Sequence, residues 1–470
     1  MRFRLQLTLA FIFAGVLCIS MPGSIVFARQ NQDQSVIEND ESPWPQWRGP
    51  LWSGVAPQAD PPLRLNPTTN LRWQVPIDGF GHGTPIVWGD FVFLQTAVEL
   101  DRKLPVPDVI PKGTPNIKVN PDESIVSWKA QRFEFLCLDR KTGKVLWRRK
   151  VFEGMPHQGH HFKGSFASQS PVTDGQKVYA YFGSYGFYCF DFSGKLIWKH
   201  DPRPQAMEAG LGEGSSPAIQ GDKLILVVDQ ESQSYIVAID KNSGKEIWRR
   251  NRDEPSNWST PRIFEHQGRH QVLVNGVILR SYDLETGQEL WTCGGHTASA
   301  IPMPSVGHGM VFNASGWSKD FLQAIKLGRR GDLTGSDQVA WSLNRGSPYV
   351  PCPMLWGKEL YVLEDSNFFS CYNALNGKRH YKFRARGKPL EFSASPVGAG
   401  DRIYLLSEGG TLVVIKRGTE AKVLAISQID EKFFASPAIV GNEIFLRGHK
   451  SLYCFCNLRG ENQTDDNTKK

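Results

Sequence analysis

The sequence of 470 residues lacks several motifs that would assign it to a common functional class. Its 8 cysteines form no Cys–Cys pair, no zinc-type Cys-x-x-Cys and no Cys-x-x-Cys-His for haem attachment. It has no Gly-x-Ser-x-Gly nucleophile elbow and no phosphate-binding Gly-Lys-Ser/Thr loop. The basic residues form no stripe, so nucleic-acid binding is not expected.

A long apolar run occurs only at the N-terminus. Arg2 and Arg4 precede the apolar stretch 5–19, and Val26-Phe27-Ala28 resembles a cleavage site, so residues 1–28 are predicted to be a signal peptide. Cys18 lacks the small preceding residue of a lipoprotein signal. Cleavage lowers the net charge from +7 to +5, because the segment holds two arginines and no acid. We expect a soluble periplasmic or secreted protein without a transmembrane span, and not a lipoprotein.

The mature chain would keep seven cysteines, an odd number that cannot pair completely. Most lie in apolar strand-like contexts, such as Cys137 between Leu136 and Leu138. Cysteine behaves there as a small apolar residue. We therefore expect mainly free thiols in the core.

A repeated unit dominates the rest of the chain. Its first half opens with Ser/Thr-Pro, followed by an apolar pair, a turn centred on Gly and a second apolar strand. Proline is tolerated at the first residue of a strand, and Gly supplies the positive φ of tight hairpins. Close copies begin at Thr84, Ser170, Ser216, Ser395 and Ser436, and looser copies begin at Thr260, Pro304 and Pro353.

The second half of the unit is an apolar strand, an Asp, a turn of the Gly-Lys type and a strand that ends in Trp. Asp240, Gly244 and Trp248 are one example. The Asp side chain is expected to hydrogen-bond the turn backbone. The Trp ring is expected to pack against the neighbouring unit, so these tryptophans are interpreted as core and not as a stacking platform. The set comprises Trp147, Trp198, Trp248 and Trp291.

Eight units at a spacing of mostly about 40 to 50 residues predict an all-β, eight-bladed β-propeller of four-stranded antiparallel blades over residues 44–456. The last unit lacks its final Trp strand, and residues 70–73 offer such a strand to close the ring. The longer first unit contains a Pro-rich insertion, 99–131, which is expected to be a loop. Residues 29–43 and 457–470 are polar and are expected to be a disordered linker and tail.

These copies resemble the repeat of pyrroloquinoline-quinone (PQQ) propellers over nearly the whole mature chain. The same repeat builds quinoprotein dehydrogenases and the outer-membrane assembly lipoprotein BamB. The opening Trp44-Pro45-Gln46-Trp47-Arg48-Gly49-Pro50 resembles the leader of exported quinone-repeat proteins of planctomycete-type bacteria. The resemblance implies the fold; it does not fix the chemistry.

The two relatives imply different functions. Quinoprotein dehydrogenases carry a neighbouring-cysteine disulfide beside the quinone and bind Ca²⁺ through Glu, Asn and Asp near the axis. This chain has no Cys–Cys pair, and no such Ca²⁺ set can be assigned in it. Relative to BamB, the lipid-attachment signal is missing and the insertion is extra.

We therefore expect an exported, non-catalytic propeller that acts as a protein-interaction or ligand-binding platform in the cell envelope, with other envelope or secreted proteins as partners and no cofactor. The leader 44–50 is expected on a face of the ring. One alternative is a PQQ- and Ca²⁺-dependent dehydrogenase acting on an alcohol or sugar. Another is a carbohydrate-binding propeller, which would need exposed aromatic residues such as Trp258 or Trp317.

Segments that precede the Ser/Thr-Pro starts lead into the innermost strands and should meet at the mouth of the central channel. A His-rich segment, 157–163, lies among them, but no carboxylate or Cys nearby in sequence completes a metal site. No metal site and no catalytic residue are predicted. The binding candidates are His82, His160, His161, Lys163, Gln169, Glu213, Asn257, Trp258, Glu391 and Phe433.

Overall fold

The computed structural model describes residues 42–365, 367–384 and 390–457. The predicted signal peptide lies outside these residues, as do nearly all of the predicted linker and tail. Within the described part, helical residues are confined to two 3₁₀ turns, Gly183–Tyr185 and Glu208–Gly210. Eight antiparallel sheets follow one another around an axis, which confirms the predicted eight-bladed propeller.

The leader and the first four blades contain strands β1 to β20. The leader region carries β1 (Val55–Ala56) and β2 (Leu71–Pro76). Next come β3 (Ile86–Trp88), β4 (Phe91–Glu99), β5 (Ser124–Ile125), β6 (Gln131–Asp139), β7 (Val145–Gly154) and β8 (His160–His161). Blade 1 is β3-β4-β6-β7, and β5 pairs with β8. Blade 2 is β9 (Val172–Thr173), β10 (Lys177–Tyr181), β11 (Phe187–Asp191) and β12 (Leu196–His200). Blade 3 is β13 (Ala218–Gln220), β14 (Lys223–Val228), β15 (Ser234–Asp240) and β16 (Glu246–Arg252). Blade 4 is β17 (Arg262–His266), β18 (Arg269–Val274), β19 (Leu279–Asp283) and β20 (Glu289–Cys293).

The remaining blades contain β21 to β36. Blade 5 is β21 (Ser305–Gly307), β22 (Met310–Ser315), β23 (Phe321–Lys326) and β25 (Val339–Leu343), while β24 (Gly331–Asp332) adds to the edge of blade 4. Blade 6 is β26 (Met354–Trp356), β27 (Glu359–Leu363), β28 (Phe368–Asn373) and β29 (Arg379–Arg384). Blade 7 is β30 (Val397–Ala399), β31 (Arg402–Leu406), β32 (Thr411–Lys416) and β33 (Val423–Gln428). Blade 8 is β34 (Ala438–Val440), β35 (Glu443–Arg447) and β36 (Ser451–Cys456), completed by β2.

The ring closes as the sequence predicts. Strand β2 lies antiparallel to β36, with Leu71 opposite Phe455 and Pro76 opposite Ser451. One blade is thus built from both ends of the propeller region. This pairing supplies the fourth strand of blade 8 and ties the two ends of the propeller region together.

In five blades the recurrent Trp joins the blade to the turn of the next one, whereas Trp291 donates to Gln271 of its own blade. Trp198 Nε1 donates a 2.9 Å hydrogen bond to the carbonyl oxygen of Lys241, and a Cβ atom on Gly244 would lie 2.7 Å from the Trp198 ring. Glycine is therefore required for space as well as for its φ of 71°. The core interpretation of these tryptophans is confirmed. The same contacts join Trp73 to Arg140 and Gly143, Trp147 to Phe192 and Gly194, Trp248 to Leu284 and Gly287, and Trp341 to Ala374 and Gly377.

The Ser/Thr of the repeat joins the blades around the channel. The backbone N–H of Ser170 donates to Ser216 Oγ at 3.0 Å, and the N–H of Ser216 donates to Thr260 Oγ1 at 3.0 Å. The bonds from Cys352 to Ser395 and from Ser395 to Ser436, both 2.9 Å, repeat the pattern. A side-chain hydroxyl thus satisfies a buried N–H that would otherwise cost free energy.

The leader does not lie on a face of the ring, and that expectation is wrong. Trp44 forms an antiparallel β-bridge with Val87 of the inner strand β3. Strand β1 pairs in parallel with β30, the inner strand of blade 7. Arg48 is 1 % exposed, and its guanidinium donates to the carbonyl oxygens of Pro396 (2.8 Å) and Ser53 (2.7 Å). The leader therefore fills the channel below the Ser/Thr-Pro starts.

The insertion packs on the propeller at the end opposite the Gly-Lys turns. Strand β5 pairs with β8, Ser124 Oγ donates to the carbonyl oxygen of Ala209 (2.7 Å), and Asn116 Nδ2 donates to Glu231 Oε2 (2.9 Å). These partners belong to the connection between blades 2 and 3 and to the β14–β15 loop. The insertion thus covers part of the face where the Ser/Thr-Pro starts lie, which we call the upper face.

Candidate functional site

A cavity of about 240 Å³ opens on the axis at the upper face. The Ser and Thr residues that open the repeated Ser/Thr-Pro units line the cavity as a ring. Trp47 of the leader lines it from the side of the lower channel. Because the leader fills the lower channel, we describe the cavity as a cup and not as a pore. Its hydroxyl-bearing lining residues are Ser165, Ser168, Ser170, Ser216, Thr260, Ser393, Ser395 and Ser436.

His82 and His161 stand on one wall as neutral imidazoles. His82 Nδ1 donates to the carbonyl oxygen of Lys163 at 3.1 Å, and its ring stacks on Phe434 with centroids 4.7 Å apart. Burial, reinforced by the positive neighbours His449 and Arg447, lowers the pKa of His82 to about 3. Burial also lowers the pKa of His161, whose Nδ1 accepts a 3.1 Å hydrogen bond from the N–H of Lys163. The wall therefore carries no histidine charge at neutral pH.

The ammonium group of Lys163 forms ion pairs with two carboxylates. Its Nζ lies 2.8 Å from Glu391 Oε2 and 3.1 Å from Glu408 Oε1. Partial burial lowers the pKa of Lys163, but the two acids outweigh it, so the pKa lies above its ordinary value. Lys163 is therefore an ammonium that is already neutralised within the cavity wall.

Glu213 is the carboxylic acid of the wall. Its oxygens accept from the N–H (2.7 Å) and Oγ (2.6 Å) of Ser184, and from Gln158 Nε2 at 3.3 Å. His157 Nε2 lies 4.0 Å away. Burial raises the pKa of Glu213 to about 7, although the hydrogen bonds from Ser184 oppose that shift. Glu213 thus changes its charge near neutral pH.

Aromatic rings also line the cavity and extend to the surface. Trp258 Nε1 donates to the carbonyl oxygen of Gly212 at 2.7 Å, which fixes the ring that lines the cavity. Tyr349 also lines it and packs against Trp317, with centroids 5.2 Å apart. Trp317 is 49 % exposed. The rings therefore continue from the cavity to solvent.

The structure brings together five of the ten predicted binding residues. His82, His161, Lys163, Glu213 and Trp258 line the cavity. His160 and Gln169 instead border a small adjacent pocket.

The other three predicted residues have different surroundings. Asn257 is buried and its Oδ1 accepts from the N–H of Ala300 (2.8 Å), while Glu391 is exposed and holds Lys163. Phe433 is buried in the core, and its neighbour Phe434 lines the cavity. Their role in binding stays a prediction.

Sequence reasoning missed Trp47, Tyr349 and the ring of hydroxyls as cavity residues. The hydroxyls were visible as the Ser/Thr of the repeat, and equivalent positions of a propeller converge on its axis. Trp47 had no such signal, because the repeat does not include the leader.

A second feature of the upper face is an apolar groove of about 350 Å³ between the insertion and blades 1 and 8. Trp128 is 72 % exposed there. Phe80, Ile125, Val126 and Phe162 are also exposed large apolar residues that line the groove. The apolar groove is defined by these five residues.

Neither a group of metal ligands nor a membrane-spanning helix is found in the residues that the structure describes. Outside the gaps at 366 and 385–389 and the two termini, no three His, Cys, Asp or Glu side chains are grouped so that they could hold a metal ion. In the same residues no helix has the length and hydropathy of a membrane span. The seven described cysteines are buried and unpaired, as expected.

Comparison with known proteins agrees with the fold. A family model described as outer membrane protein assembly factor BamB matches residues 110–272 and 274–469, well over half of the chain. BamB from Moraxella catarrhalis is similar in structure, with a TM-score of 0.50 at 13 % identity, over 77 % of this chain and 98 % of that one. Quinohemoprotein alcohol dehydrogenase from Comamonas testosteroni gives a TM-score of 0.58 at 11 % identity, over 90 % of this chain and 82 % of that one. No curated protein matches significantly.

Proposed function

The chain belongs to the family of the outer membrane protein assembly factor BamB, and we propose that it acts after export as a protein-interaction platform in the cell envelope. The observation that carries this proposal is the apolar groove. A tryptophan that is 72 % exposed beside four other exposed apolar side chains is costly to leave in water. Contiguous exposed apolar surface of this kind marks interaction sites.

The groove has the composition of an interaction hot spot. Trp128 offers a large rigid surface, and tryptophan is enriched among residues that dominate binding energy. Lys129 and Glu99 lie at the same groove and supply polar groups around the apolar centre. The partner that fits is a protein that inserts bulky apolar side chains between the insertion and Phe80.

A PQQ-dependent dehydrogenase is a poorer fit to the residues present. Ca²⁺ prefers six to eight oxygen ligands, whereas the one carboxylate that lines the cavity, Glu213, already has both oxygens hydrogen-bonded to Ser184 and Gln158. No three His, Cys, Asp or Glu side chains are grouped as metal ligands in the residues that the structure describes. This donor set does not suit a Ca²⁺ ion, and we derive no redox step.

Site-specific photo-crosslinking tests the platform. p-Benzoylphenylalanine replaces Trp128 in one full-length variant and the exposed Ile197 of β12 in a matched control, and both are irradiated in cells of the native host. A discrete crosslinked protein is expected at position 128 and not at position 197. The purified partner is then titrated against the wild type and Trp128→Ser.

The expected result is a loss of affinity of at least about tenfold for Trp128→Ser, which corresponds to one hot-spot contact. Ile197→Ser should bind as the wild type does. Equal crosslinking at both positions, or equal affinity of wild type and Trp128→Ser, would contradict the proposal.

A further inference from the structure

The central cavity has hydrogen-bond donors that the protein does not use. The hydroxyls of Ser170, Ser216, Thr260, Ser395 and Ser436 each accept one backbone N–H from a neighbouring blade. Within the described residues the hydroxyls of Ser170, Ser216, Thr260 and Ser436 donate to no protein acceptor, whereas Ser395 hydrogen-bonds the Cys352 thiol; all five line the cavity. A hydroxyl has one proton to donate. The cavity therefore favours a ligand that is rich in oxygen acceptors.

Charge argues against an anionic ligand. Lys163, the ammonium at the cavity, is bound to Glu391 and Glu408, and the imidazoles of His82 and His161 are neutral. An anion would therefore lose its hydration without gaining a free positive charge, which is costly. Glu213, which also lines the cavity, adds negative charge as it ionises. An uncharged ligand avoids the cost that an anion would meet.

The aromatic walls suit a ring with apolar C–H faces. Trp47 lies below the hydroxyl ring, and Trp258, Tyr349 and Phe434 lie at its sides. Sugars present hydroxyls at the ring edge and C–H groups on the ring faces, which matches a cavity lined by both hydroxyl donors and aromatic rings. The hydrogen bond from Trp258 to Gly212 holds one of these rings in place before any ligand binds.

The size of the cavity, about 240 Å³, suits a small ligand of about one sugar ring. Drug-sized ligands use pockets of roughly 300 to 1,000 Å³. Trp317, which packs on the cavity residue Tyr349 and is 49 % exposed, offers a further aromatic surface outside the cavity for a longer saccharide.

We propose that the central cavity is a binding site for a neutral saccharide, with one hexose-sized ring inside the hydroxyl ring and between the aromatic side chains. The cavity adjoins the apolar groove, with which it shares Gly164 and Ser165 as lining residues, but its proposed ligand does not depend on the proposed protein partner.

Isothermal titration calorimetry of the full mature chain tests the site. The probes are D-glucose, D-galactose, D-mannose and N-acetyl-D-glucosamine, with D-glucuronate as the charged control. We expect saturable binding of at least one neutral sugar, and weaker or no binding of D-glucuronate.

Two variants assign the binding to the cavity. Trp258→Leu removes an aromatic face and should weaken binding by at least about tenfold. Ser216→Cys removes a strong donor but keeps an acceptor for the next blade, as Cys352 does when its Sγ accepts from the N–H of Met303 at 3.2 Å. This variant should weaken binding by about three- to tenfold. Ser216→Cys also tests the cavity if Trp258→Leu does not fold.

Ile197→Ser is the control, because Ile197 is exposed on β12 and lines neither the cavity nor the apolar groove. It should bind sugar within about twofold of the wild type, since distant sites act independently. Three results would overturn the proposal: no neutral sugar gives saturable heat up to about 10 mM, D-glucuronate binds more tightly than every neutral sugar, or folded Trp258→Leu and Ser216→Cys bind as the wild type does.

Discussion

The backbone N–H of Thr84 in blade 1 donates a 2.9 Å hydrogen bond to Oγ of Ser170, the equivalent residue of blade 2. The same bond recurs along the ring, and at Cys352 a sulfur replaces the hydroxyl. The Ser/Thr of the repeat therefore ties neighbouring blades together. The protons of four of these hydroxyls are left for the central cavity.

Ser170→Ala should destabilise the protein by about 1–3 kcal/mol, because the buried N–H of Thr84 loses its acceptor. Ser170→Cys should lose less, since cysteine fills this position in blade 6. Denaturant unfolding measures both. Ser342→Ala, at an exposed position of β25, is the control and should change stability by no more than about 0.5 kcal/mol. An equal effect of Ser170→Ala and Ser342→Ala would contradict the role of the ring.

Gly244→Ala and Gly221→Ala separate backbone strain from steric conflict. Both glycines have positive φ (71° and 60°), but a Cβ on Gly244 meets the Trp198 ring at 2.7 Å, while a Cβ on Gly221 has no atom within 4 Å. Gly221→Ala should cost about 1–2 kcal/mol from strain. Gly244→Ala should cost about 1–3 kcal/mol more from overpacking. The unfolding free energies of the two variants decide this, and equal losses would show that the Trp198 contact is unimportant.

Asp229→Ala should destabilise the protein by about 3–5 kcal/mol. The carboxylate binds the guanidinium of Arg252 at 2.7 and 3.0 Å, and both side chains are fully buried, so the variant leaves a charge without its partner. The double variant Asp229→Leu/Arg252→Met should recover much of the loss. Asp337→Ala breaks the exposed pair with Arg329 and should cost no more than about 1 kcal/mol. Thermal unfolding of the four proteins tests the order, which fails if the two single variants are equally stable.

Glu213 should make the protein less stable as the pH rises. Its pKa is raised to about 7 in the folded protein, against 4.5 for an ordinary Glu, so the folded state binds the proton more tightly than the unfolded state. The stability that Glu213 contributes is present below about pH 4.5 and is lost progressively up to about pH 7, by roughly 3 kcal/mol. Glu213→Gln keeps the side-chain shape but cannot ionise.

The stabilities of the wild type and Glu213→Gln should therefore diverge between about pH 4.5 and pH 7, with the variant gaining relative to the wild type. Unfolding free energies measured at intervals across that range provide the test. A constant difference between the two proteins over the range would show that Glu213 does not titrate there.

The repeat made the fold predictable. Ser/Thr-Pro starts, Asp and Gly turns and terminal tryptophans recur at a spacing that one four-stranded blade requires, and the half-blade at each end of the propeller region predicted the closure between β2 and β36. These are local rules, applied eight times. Because the copies could be compared with one another, degenerate copies such as the one that begins at Cys352 did not obscure the number of blades.

The candidate site was only partly predictable. Five of the ten predicted residues reach the cavity because they precede inner strands, and the geometry of a propeller brings those positions to the axis. Phe433 and Phe434 show the limit of this reasoning. Adjacent residues point to opposite sides of an extended chain, and the sequence did not reveal which of the two faces the channel.

The amino-acid sequence by itself determined the number of blades, the roles of the repeated Pro, Asp, Gly and Trp and the way in which the ring closes, since all of these follow from local turn chemistry and periodic burial. The tertiary structure alone decided that the leader fills the lower channel, that the insertion folds over the upper face, and that Trp47, Trp258 and the five hydroxyls surround one cavity. These contacts join segments far apart in the chain, and no periodic signal encodes which nonrepeating segment will occupy a space that the repeats leave open.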